Sequence, residues 1–388
     1  MDLRRRLARL DGLTRRPQET PRPAGGAPAC GPEALGLVDD PRGGPWRRRV
    51  RVDLPPPPGL PDLAGLLPPH WLQSAAPDDL LFLDTETTGL AGGTGTLAFL
   101  VGLAWWEEGG LQVEQHFLPG PEHEDALLAA VAAAAADRRV VVSFNGASFD
   151  WPLLRTRALL NRRPDPLAHL AGWDLLVPAR RLWGRLLPDC RQQTLETEIC
   201  GQVRGPGDIP GERIPQAWFD FLAGGDPAPL GCVLTHNLRD MEGMARVLLA
   251  VAAAAAGLGA PPPAAPAPDW RLAWACGRIC ERRRDHAAAA AWLALAAAAD
   301  RTEQRLLADA VRVLKRLGEW EAALALVERA LAAAPRAAWL HREAAIIWEH
   351  RLGDPQKALA HARLTGDHRR IARLERRRLS CRPRGEEP

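Results

Sequence analysis

Several residue types that often mark functional sites are scarce or missing in this chain. Tyrosine is absent, and only two of the 50 basic residues are lysines, Lys315 and Lys357. Because alanine and proline are abundant at the same time, this bias indicates genomic base composition rather than function. The seven cysteines are odd in number and form no CxxC pair, which argues for reduced thiols in a cytoplasm.

The sequence also lacks obvious segments for membrane insertion. We find no run that is long and apolar enough to span a bilayer, and the N-terminal MDLRRRLARL has no apolar core of a signal peptide. We therefore expect a soluble, cytoplasmic protein without a membrane partner.

Positive charge is distributed unevenly, although the net charge is only +3. Residues 1–52 contain twelve arginines against six acidic residues, and ERRRLSCRPR near the C-terminus is a second basic run. Such runs are typical of solvated tails or of arms that bind phosphate groups.

Composition divides the 388 residues into regions, and this length suits two or three domains. Residues 1–77 are rich in Pro, Gly and Arg, and we predict that they are largely disordered, with at most short elements at RRVRVDL and AGLLPPHWL. We expect a folded domain over 78–256, a Pro/Ala-rich linker over 257–269, helical repeats over 270–370 and a basic tail over 371–388.

Strand and helix patterns alternate over residues 78–256. LLFLD, LAFLVGLAWWE and LQVEQHFL predict three antiparallel strands, and VVVSFNG and GWDLL predict two more. Helices are predicted for HEDALLAAVAAAAADRR, for FDWPLLRTRALLN and for the closing segment LTHNLRDMEGMARVLLAVAAA. The predicted fold class is therefore α/β, a mixed five-stranded sheet with flanking helices.

The C-terminal region shows an internal period. ERRRDHAAAAAWLALA, KRLGEWEAALALVERAL and HRLGDPQKALAHARL align so that Arg284, Gly318 and Gly353 are equivalent. A period of about 34 residues with a turn and an Ala-rich second helix is typical of tetratricopeptide-type repeats. The alternative is a set of Ala-rich helices with an accidental period.

Acidic residues and one histidine stand at the ends of the predicted elements. Asp84 and Glu86 point to the same side of the first strand. Asp150 begins a helix, whereas His236 and Asp240 share one face of the closing helix. Taken singly, these residues are also consistent with turn acids, a helix N-cap and an exposed i,i+4 pair.

Carboxylates that converge at one edge of a sheet require a cation between them. Mg²⁺ prefers oxygen ligands and commonly bridges carboxylates and phosphate. Two such ions, about 4 Å apart, would suit an in-line phosphoryl displacement. A histidine beside them could take a proton from the attacking water.

Three motifs, DTETTGL, FNGASFD and HNLRD, occur in this order along the chain. Together they resemble the motifs of the DEDD superfamily of 3′-5′ exonucleases, which have an RNase H-like fold. LETEICGQVRGPGDIPGERIPQAWFDFL is similar to the segment typical of the YprB-type RNase H-like proteins of bacteria. The resemblance covers residues 78–250.

The resemblance implies a centre with two ions of Mg²⁺ or Mn²⁺. Its metal-binding carboxylates would be Asp84, Glu86, Asp150 and Asp240. The general base would be His236, but it stands four residues before the last aspartate, at the spacing of the superfamily's tyrosine subclass. The base assignment therefore stays open, with Asn237 as the neighbouring candidate.

The resemblance also implies contacts with the substrate. Thr88, Leu90 and Asn145 would be substrate-binding, with Leu90 lining the pocket in which the terminal base stacks. We interpret Asp174 and Asp208 as structural residues rather than substrate contacts.

Two classes of function remain after these observations. The first is a metal-dependent nuclease, a 3′-5′ exonuclease that hydrolyses single-stranded nucleic acid, with a protein partner recruited by the repeats. The alternative is a non-catalytic nucleic-acid-binding or scaffold protein. The sequence does not distinguish DNA from RNA, because that choice depends on contacts to the 2′-OH.

Overall fold

The computed structural model describes residues 30–41, 43–72, 74–89, 95–205, 207–261, 268–299 and 303–380. One mixed sheet of six strands organises the first half of the chain, in the spatial order β1-β4-β3-β2-β5-β6. The strands are β1 (Trp46–Val52), β2 (Leu80–Thr87), β3 (Ala98–Glu107), β4 (Gly110–Phe117), β5 (Val140–Ser143) and β6 (Ala171–Asp174).

The strand directions agree with the prediction, but the strand count does not. β3 pairs antiparallel with β2 and with β4, whereas β5 and β6 continue the sheet in parallel. The sixth strand, β1, pairs antiparallel with β4 at the edge. The predicted mixed sheet with flanking helices is confirmed, but it has six strands rather than five. The sixth lies at RRVRVDL, where only a short element was expected, because its alternate side chains are exposed arginines.

The region before residue 78 is more ordered than predicted. Residues 1–29 lie outside the described residues, but the stretch from 43 to 72 contains β1 and the buried side chains Leu54, Leu63 and Leu66. Leu66 is fully buried in the cluster that contains Phe82 and Trp106 of the sheet. The prediction of disorder is wrong for this part, since its leucines complete the core.

Within the described residues, six α-helices accompany the sheet, and the longest of them closes the domain. They are α1 (Glu124–Ala135), α2 (Asp150–Leu160), α3 (Leu176–Trp183), α4 (Gln192–Glu198), α5 (Ile214–Leu222) and α6 (Ala228–Ala256). The side chains of β2 alternate between two apolar clusters: Leu80 and Phe82 belong to one, Leu81 and Leu83 to the other. Because α6 packs on β2, β3 and β4, it carries polar residues directly onto the sheet.

The expectation that no segment could span a membrane is wrong on length and composition alone. Residues 228–259 form a continuous helical stretch that is long and apolar enough to do so. More than half of its most apolar window is buried inside the protein, and the helix places Asn237 against β3. It is a core helix of this domain, which explains its apolar composition.

Seven further helices follow, and their turns repeat. They are α7 (Trp270–Arg282), α8 (His286–Ala299), α9 (Gln304–Leu317), α10 (Trp320–Ala333), α11 (Ala338–His350), α12 (Pro355–Arg363) and α13 (His368–Ser380). Arg284, Gly318 and Gly353 separate the helices of successive pairs, and all three are left-handed, with φ of 64°, 79° and 70°. The predicted equivalence of the three positions therefore agrees with their backbone conformation.

The helical region shares its apolar core with the sheet domain. Leu258, in the predicted linker, is buried, and its carbonyl accepts hydrogen bonds from the indole of Trp292 at 2.9 Å and from the thiol of Cys280 at 3.3 Å. Arg283 donates to the carbonyl of Ala64 at 2.6 Å. The beginning of the predicted linker is thus packed, while residues 262–267 lie outside the described residues.

The basic tail predicted over residues 371–388 is helical where it is described. Residues 371–380 belong to α13, and Leu374 is buried against α12 and α11 in a small separate cluster. The prediction of a tail is wrong for these residues, because apolar positions at helical spacing lie between the arginines. Residues 381–388 are outside the described part of the chain.

Two truncations test whether the shared core is required. A chain that ends at residue 260 would expose buried side chains of the sheet domain, each of which contributes about 1.5–3 kcal/mol on burial. Since folded domains are stable by only about 5–15 kcal/mol, we expect aggregation or a clearly lowered Tm. A chain that ends at residue 353 loses mainly the separate cluster and should keep most of its Tm, measured by circular dichroism. A soluble 1–260 chain with an unchanged Tm would instead establish an independent sheet domain.

Candidate active site

β2 carries two acidic residues toward α6. Asp84 and Glu86 stand two positions apart and therefore project from the same face of the sheet. A β-bulge interrupts the pairing with β3 between Glu86 and Thr87. Such bulges redirect side chains at the ends of strands, and here the bulge follows the two acids.

Asn237 on α6 connects the helix to the first of these acids. Its side-chain amide is fully buried, donates to Asp84 Oδ2 at 2.8 Å and accepts from Gln115 Nε2 of β4 at 2.8 Å. A Cβ on Gly102 of β3 would lie 2.4 Å from Asn237 Oδ1. The absence of a Cβ at Gly102 therefore leaves the space that the Asn237 amide occupies against β3.

Asp150 reaches the same edge of the sheet from the start of α2. The hydroxyl of Thr85, which lies between the two acids of β2, donates to Asp150 Oδ1. A Cβ on Gly146 would lie 2.9 Å from Asp150 Oδ2 and 2.4 Å from the Ser143 hydroxyl. That hydroxyl is buried without a hydrogen-bond partner among the described residues, so a polar atom stands unsatisfied beside Asp150.

Asp174 holds the loop that delivers Asp150. Its buried carboxylate accepts from the backbone N–H groups of Asn145 at 2.7 Å, Ala147 at 3.2 Å and Leu176 at 3.0 Å. Three such bonds fix the strained left-handed backbone of Asn145, whose φ is 66°. This geometry agrees with the structural role that we assigned to Asp174.

His236 and Asp240 lie one helical turn apart on α6 and contact each other. His236 Nε2 is 3.2 Å from Asp240 Oδ2, and Nδ1 is 2.6 Å from Asp208 Oδ1. Burial alone would lower the pKa of His236, but its hydrogen bond to Asp240 and the charges around it raise the pKa to about 10. Both ring nitrogens of His236 therefore face carboxylate oxygens.

Arg204 is a contact of the site that the sequence did not reveal. Its guanidinium makes a bidentate pair with buried Glu196, at 2.6 and 2.8 Å, and a further bond to Asp240 Oδ1. A Cβ on Gly243 would lie within 2 Å of Glu196, so this glycine leaves the space that the pair needs. Burial would lower the pKa of Arg204, but the hydrogen bonds to Glu196 and the charge of Asp240 raise it.

The carboxyl groups of the site are held in unfavourable surroundings. Burial, followed by repulsion from Asp240 and Asp150, raises the pKa of Asp84 well above its usual range, against the opposing charge of His236. Burial and the charge of Asp84 do the same to the pKa of Glu86. Burial also raises the pKa of Asp150, to about 6, although the hydrogen bond from Thr85 opposes the shift. Bound cations would relieve this strain.

The donor set fits divalent metal ions with oxygen preference. One ligand atom each from Glu86, His236 and Asp240 can be chosen so that all lie within 4.8 Å of one another. Asp84 and Asp150 add oxygen donors nearby, since each contributes to the raised pKa of Glu86. Carboxylate oxygens suit Mg²⁺ and Mn²⁺, and the unsatisfied Ser143 hydroxyl offers a place for a ligating water.

The predicted substrate contacts remain predictions. The hydroxyl of Thr88 accepts from the N–H of Leu97 at 3.0 Å, and the N–H of Thr88 donates to the Leu97 carbonyl. Thr88 is therefore bonded to Leu97 through both its side chain and its backbone. Asn145 is exposed near Asp150, and Leu90 lies outside the described residues.

Several contacts of the site escaped sequence reasoning. Gln115 is one of four polar residues in the strand GLQVEQHF, and nothing in the pattern distinguishes it from the others. Glu196 and Arg204 lie within the segment LETEICGQVR, but nothing in their spacing indicates a pair. Asp208, which we interpreted as structural, contacts the ring of His236 directly.

Comparison with known proteins finds a family to which this part of the chain is similar. Residues 81–251 match the family model of the RNase H superfamily. The uncharacterized protein YprB of Bacillus subtilis (strain 168) is 39% identical over 165 residues, which are 42% of this chain and 40% of that relative. The chain thus spans about two fifths of its relative's length, and its residues 81–251 are similar to the RNase H superfamily.

A solved structure with a distant likeness is the family B DNA polymerase from the hyperthermophilic archaeon Pyrobaculum calidifontis. The alignment covers 65% of this chain and 33% of the polymerase, with 14% identity and a TM-score of 0.35. A likeness of this level does not bear on function.

Replacing one buried acid tests the strain and the metal site together. In the presence of chelator, Asp84→Asn should raise the Tm by about 2 °C or more, because it removes a charge that burial disfavours. Mg²⁺ or Mn²⁺ should raise the Tm of the wild-type protein but not that of the variant. Asp137→Asn, at an exposed position after α1, is the matched control and should change neither value. An equal metal response in wild type and Asp84→Asn would remove Asp84 from the ligand set.

Proposed function

Because residues 81–251 match the family model of the RNase H superfamily, we propose that this protein is a metal-dependent nuclease. One observation carries the proposal: Asp84, Glu86 and Asp150 meet beside Asp240 at one edge of the sheet, and burial and neighbouring carboxylates disfavour the charges of the first three. A fold gains nothing in stability from such a cluster. If bound cations neutralise the cluster, however, the same residues can act on a phosphodiester.

We assign the chemistry of the site as follows. The carboxylates of Asp84, Glu86, Asp150 and Asp240 would hold Mg²⁺ or Mn²⁺. When bound, two such ions supply positive charge that stabilises the attacking and leaving oxygens of a phosphodiester. Asn237 keeps the Asp84 carboxylate in place, and Thr85 does the same for Asp150.

We propose that His236 handles the proton of the reaction. It stands beside Asp240 and Glu86, and Asp208 fixes its ring through Nδ1. A hydrogen bond to one ring nitrogen sets the orientation of the other. Nε2 is therefore the atom that exchanges a proton, and Asp208 is a positioning residue.

The finer assignment is a 3′-5′ exonuclease that acts on single-stranded ends. It rests on the order of DTETTGL, FNGASFD and HNLRD, which resembles the DEDD exonucleases. The tetratricopeptide-type reading of α7–α12 rests on the common turn conformation at Arg284, Gly318 and Gly353. We propose that these repeats recruit a protein partner, since concave repeat surfaces commonly bind peptides.

A binding-only function is favoured by one contact. Both oxygens of Asp240 are already held, one by Arg204 and the other by His236. A site neutralised in this way could grip a phosphate backbone without hydrolysing it. Such a protein would bind an oligonucleotide tightly in the presence of Mg²⁺ or Mn²⁺ but would release no product.

Incubation with end-labelled oligonucleotides tests the nuclease. We expect ladders from the 3′ end of single-stranded DNA or RNA with Mg²⁺ or Mn²⁺, and no products in chelator. Asp150→Asn should abolish cleavage and Asp137→Asn should not. Labels at the 5′ and at the 3′ end, on single and double strands, separate exonuclease polarity from internal cutting. Binding without products under every metal condition would establish the binding-only function.

Substitution of His236 tests the proton assignment. His236→Ala should lower the single-turnover rate by about 10² to 10⁴, the usual contribution of a general acid–base group, with little change in oligonucleotide affinity. Asp208→Asn should lower it less, because the ring remains in place. If His236→Ala is nearly as active as wild type while Asn237→Ala is inactive, the proton is handled from the neighbouring position instead.

A further inference from the structure

A second polar pocket lies on the other face of the sheet, away from α6. Arg48 of β1 and Gln115 of β4 point toward α6, where both contact the carbonyl of Leu234. Their neighbours along the two strands, Arg47, Arg49, Glu114 and His116, therefore project from the opposite face. With Trp105 of β3 and Arg138 after α1, they line a pocket of about 360 Å³. None of these residues belongs to the candidate active site.

The pocket contains buried nitrogen atoms without partners. The indole N–H of Trp105 is buried in a side chain that is 7% exposed, and no described residue accepts a hydrogen bond from it. Nδ1 of His116, which is 4% exposed, is likewise unpartnered within the described residues. The adjacent Trp106 on the other face shows the usual outcome, since its indole donates to the Leu54 carbonyl at 3.1 Å.

Guanidinium groups surround the unpartnered indole. Arg49 lies 5.3 Å and Arg138 5.4 Å from the Trp105 ring centroid. Glu114 is committed within the pocket: Oε2 accepts from Arg49 at 3.1 Å, and Oε1 is 3.0 Å from His116 Nε2. The hydrogen bond with His116, followed by the charge of Arg49, lowers the pKa of Glu114 although burial opposes the shift.

Positive charge remains at the pocket after these pairs are formed. Arg138 donates to the backbone carbonyl of Asp78, which is uncharged. Neither it nor the exposed Arg47 forms an ion pair with a carboxylate in the described part of the chain. Asp137 also lines the pocket, so three guanidiniums face two carboxylates. The pocket therefore keeps an excess of positive charge and a buried N–H donor, a combination that suits an anion with several acceptor oxygens.

We propose that this pocket binds a phosphate group through Arg47, Arg49, Arg138 and the indole N–H of Trp105. Phosphate matches the fork of a guanidinium and can accept from the indole at the same time. A phosphate belongs either to the backbone of a nucleic-acid strand or to a free phosphate-bearing molecule. The site gives a role to the arginines of WRRRVRV, which alternate with residues that face α6.

Indole N–H resonances report on the pocket directly. The full-length protein is labelled with ¹⁵N-tryptophan in chelator, and the Trp105 peak is identified by its loss in Trp105→Phe, which keeps an aromatic ring at this position but removes the indole N–H. We expect this peak to shift saturably with sodium phosphate, with a single-stranded oligonucleotide, or with both. A shift with the oligonucleotide at far lower concentration assigns the site to a strand backbone. A shift with phosphate alone assigns it to a small phosphate-bearing molecule.

A matched pair of arginine variants supplies the control. Arg138→Gln should weaken binding by at least about tenfold, equivalent to about 1.4 kcal/mol. Arg163→Gln removes the same charge from an exposed arginine that pairs with Asp125 and should leave the affinity within about twofold. The proposal is overturned by an unmoved Trp105 peak, by an equal shift with sodium chloride at matched ionic strength, or by equal affinity of the two variants.

Discussion

The burial of Asp84 against α6 is the contact on which the architecture of the site depends. A carboxylate in this position is costly unless its lone pairs are satisfied, and the amide of Asn237 supplies one bond. That amide needs its own partner, Gln115 of β4, and a strand without a Cβ at Gly102. The burial of Asp84 thus limits which residues can occupy the neighbouring positions of β3, β4 and α6. These residues in turn fix the position of the helix on the sheet.

The segment between β6 and α6 performs the corresponding task for Asp240. It folds back so that Glu196, Arg204 and Asp208 surround the charged face of α6, with Gly243 leaving room for the Glu196 carboxylate. Buried ion pairs of this kind contribute little to stability, but they specify orientation. Arg204 on one oxygen of Asp240 and His236 on the other hold that carboxylate in a single position. The RNase H-like scaffold supplies the sheet edge, and this additional segment supplies the second half of the site.

Sequence patterns predicted the elements whose apolar residues follow a regular period. β2, β5 and α6 were recognisable because their apolar runs have the periods of strand and helix. Asp84, Glu86 and Asp150 could be grouped because they lie at the ends of such elements, and His236 and Asp240 because they share one face of the closing helix. β1 escaped because three arginines occupy its exposed positions, and a composition rich in Arg and Pro resembles disorder. Arg204 and Gln115 could not be predicted, since their role is defined by partners 36 and 122 residues away.

The domain boundaries also show what sequence patterns fail to predict. Proline-rich composition does not report what the residues within such a segment bury. Leu66 between β1 and β2 and Leu258 after α6 lie in segments with the composition of linkers, yet both are buried in the cluster that includes α7 and α8. A leucine in a linker contributes as much to a core as one in a helix once the chain brings it there. Order along such a segment is therefore decided by its few apolar side chains and the surface they meet, and that surface is known only after the rest of the chain has folded.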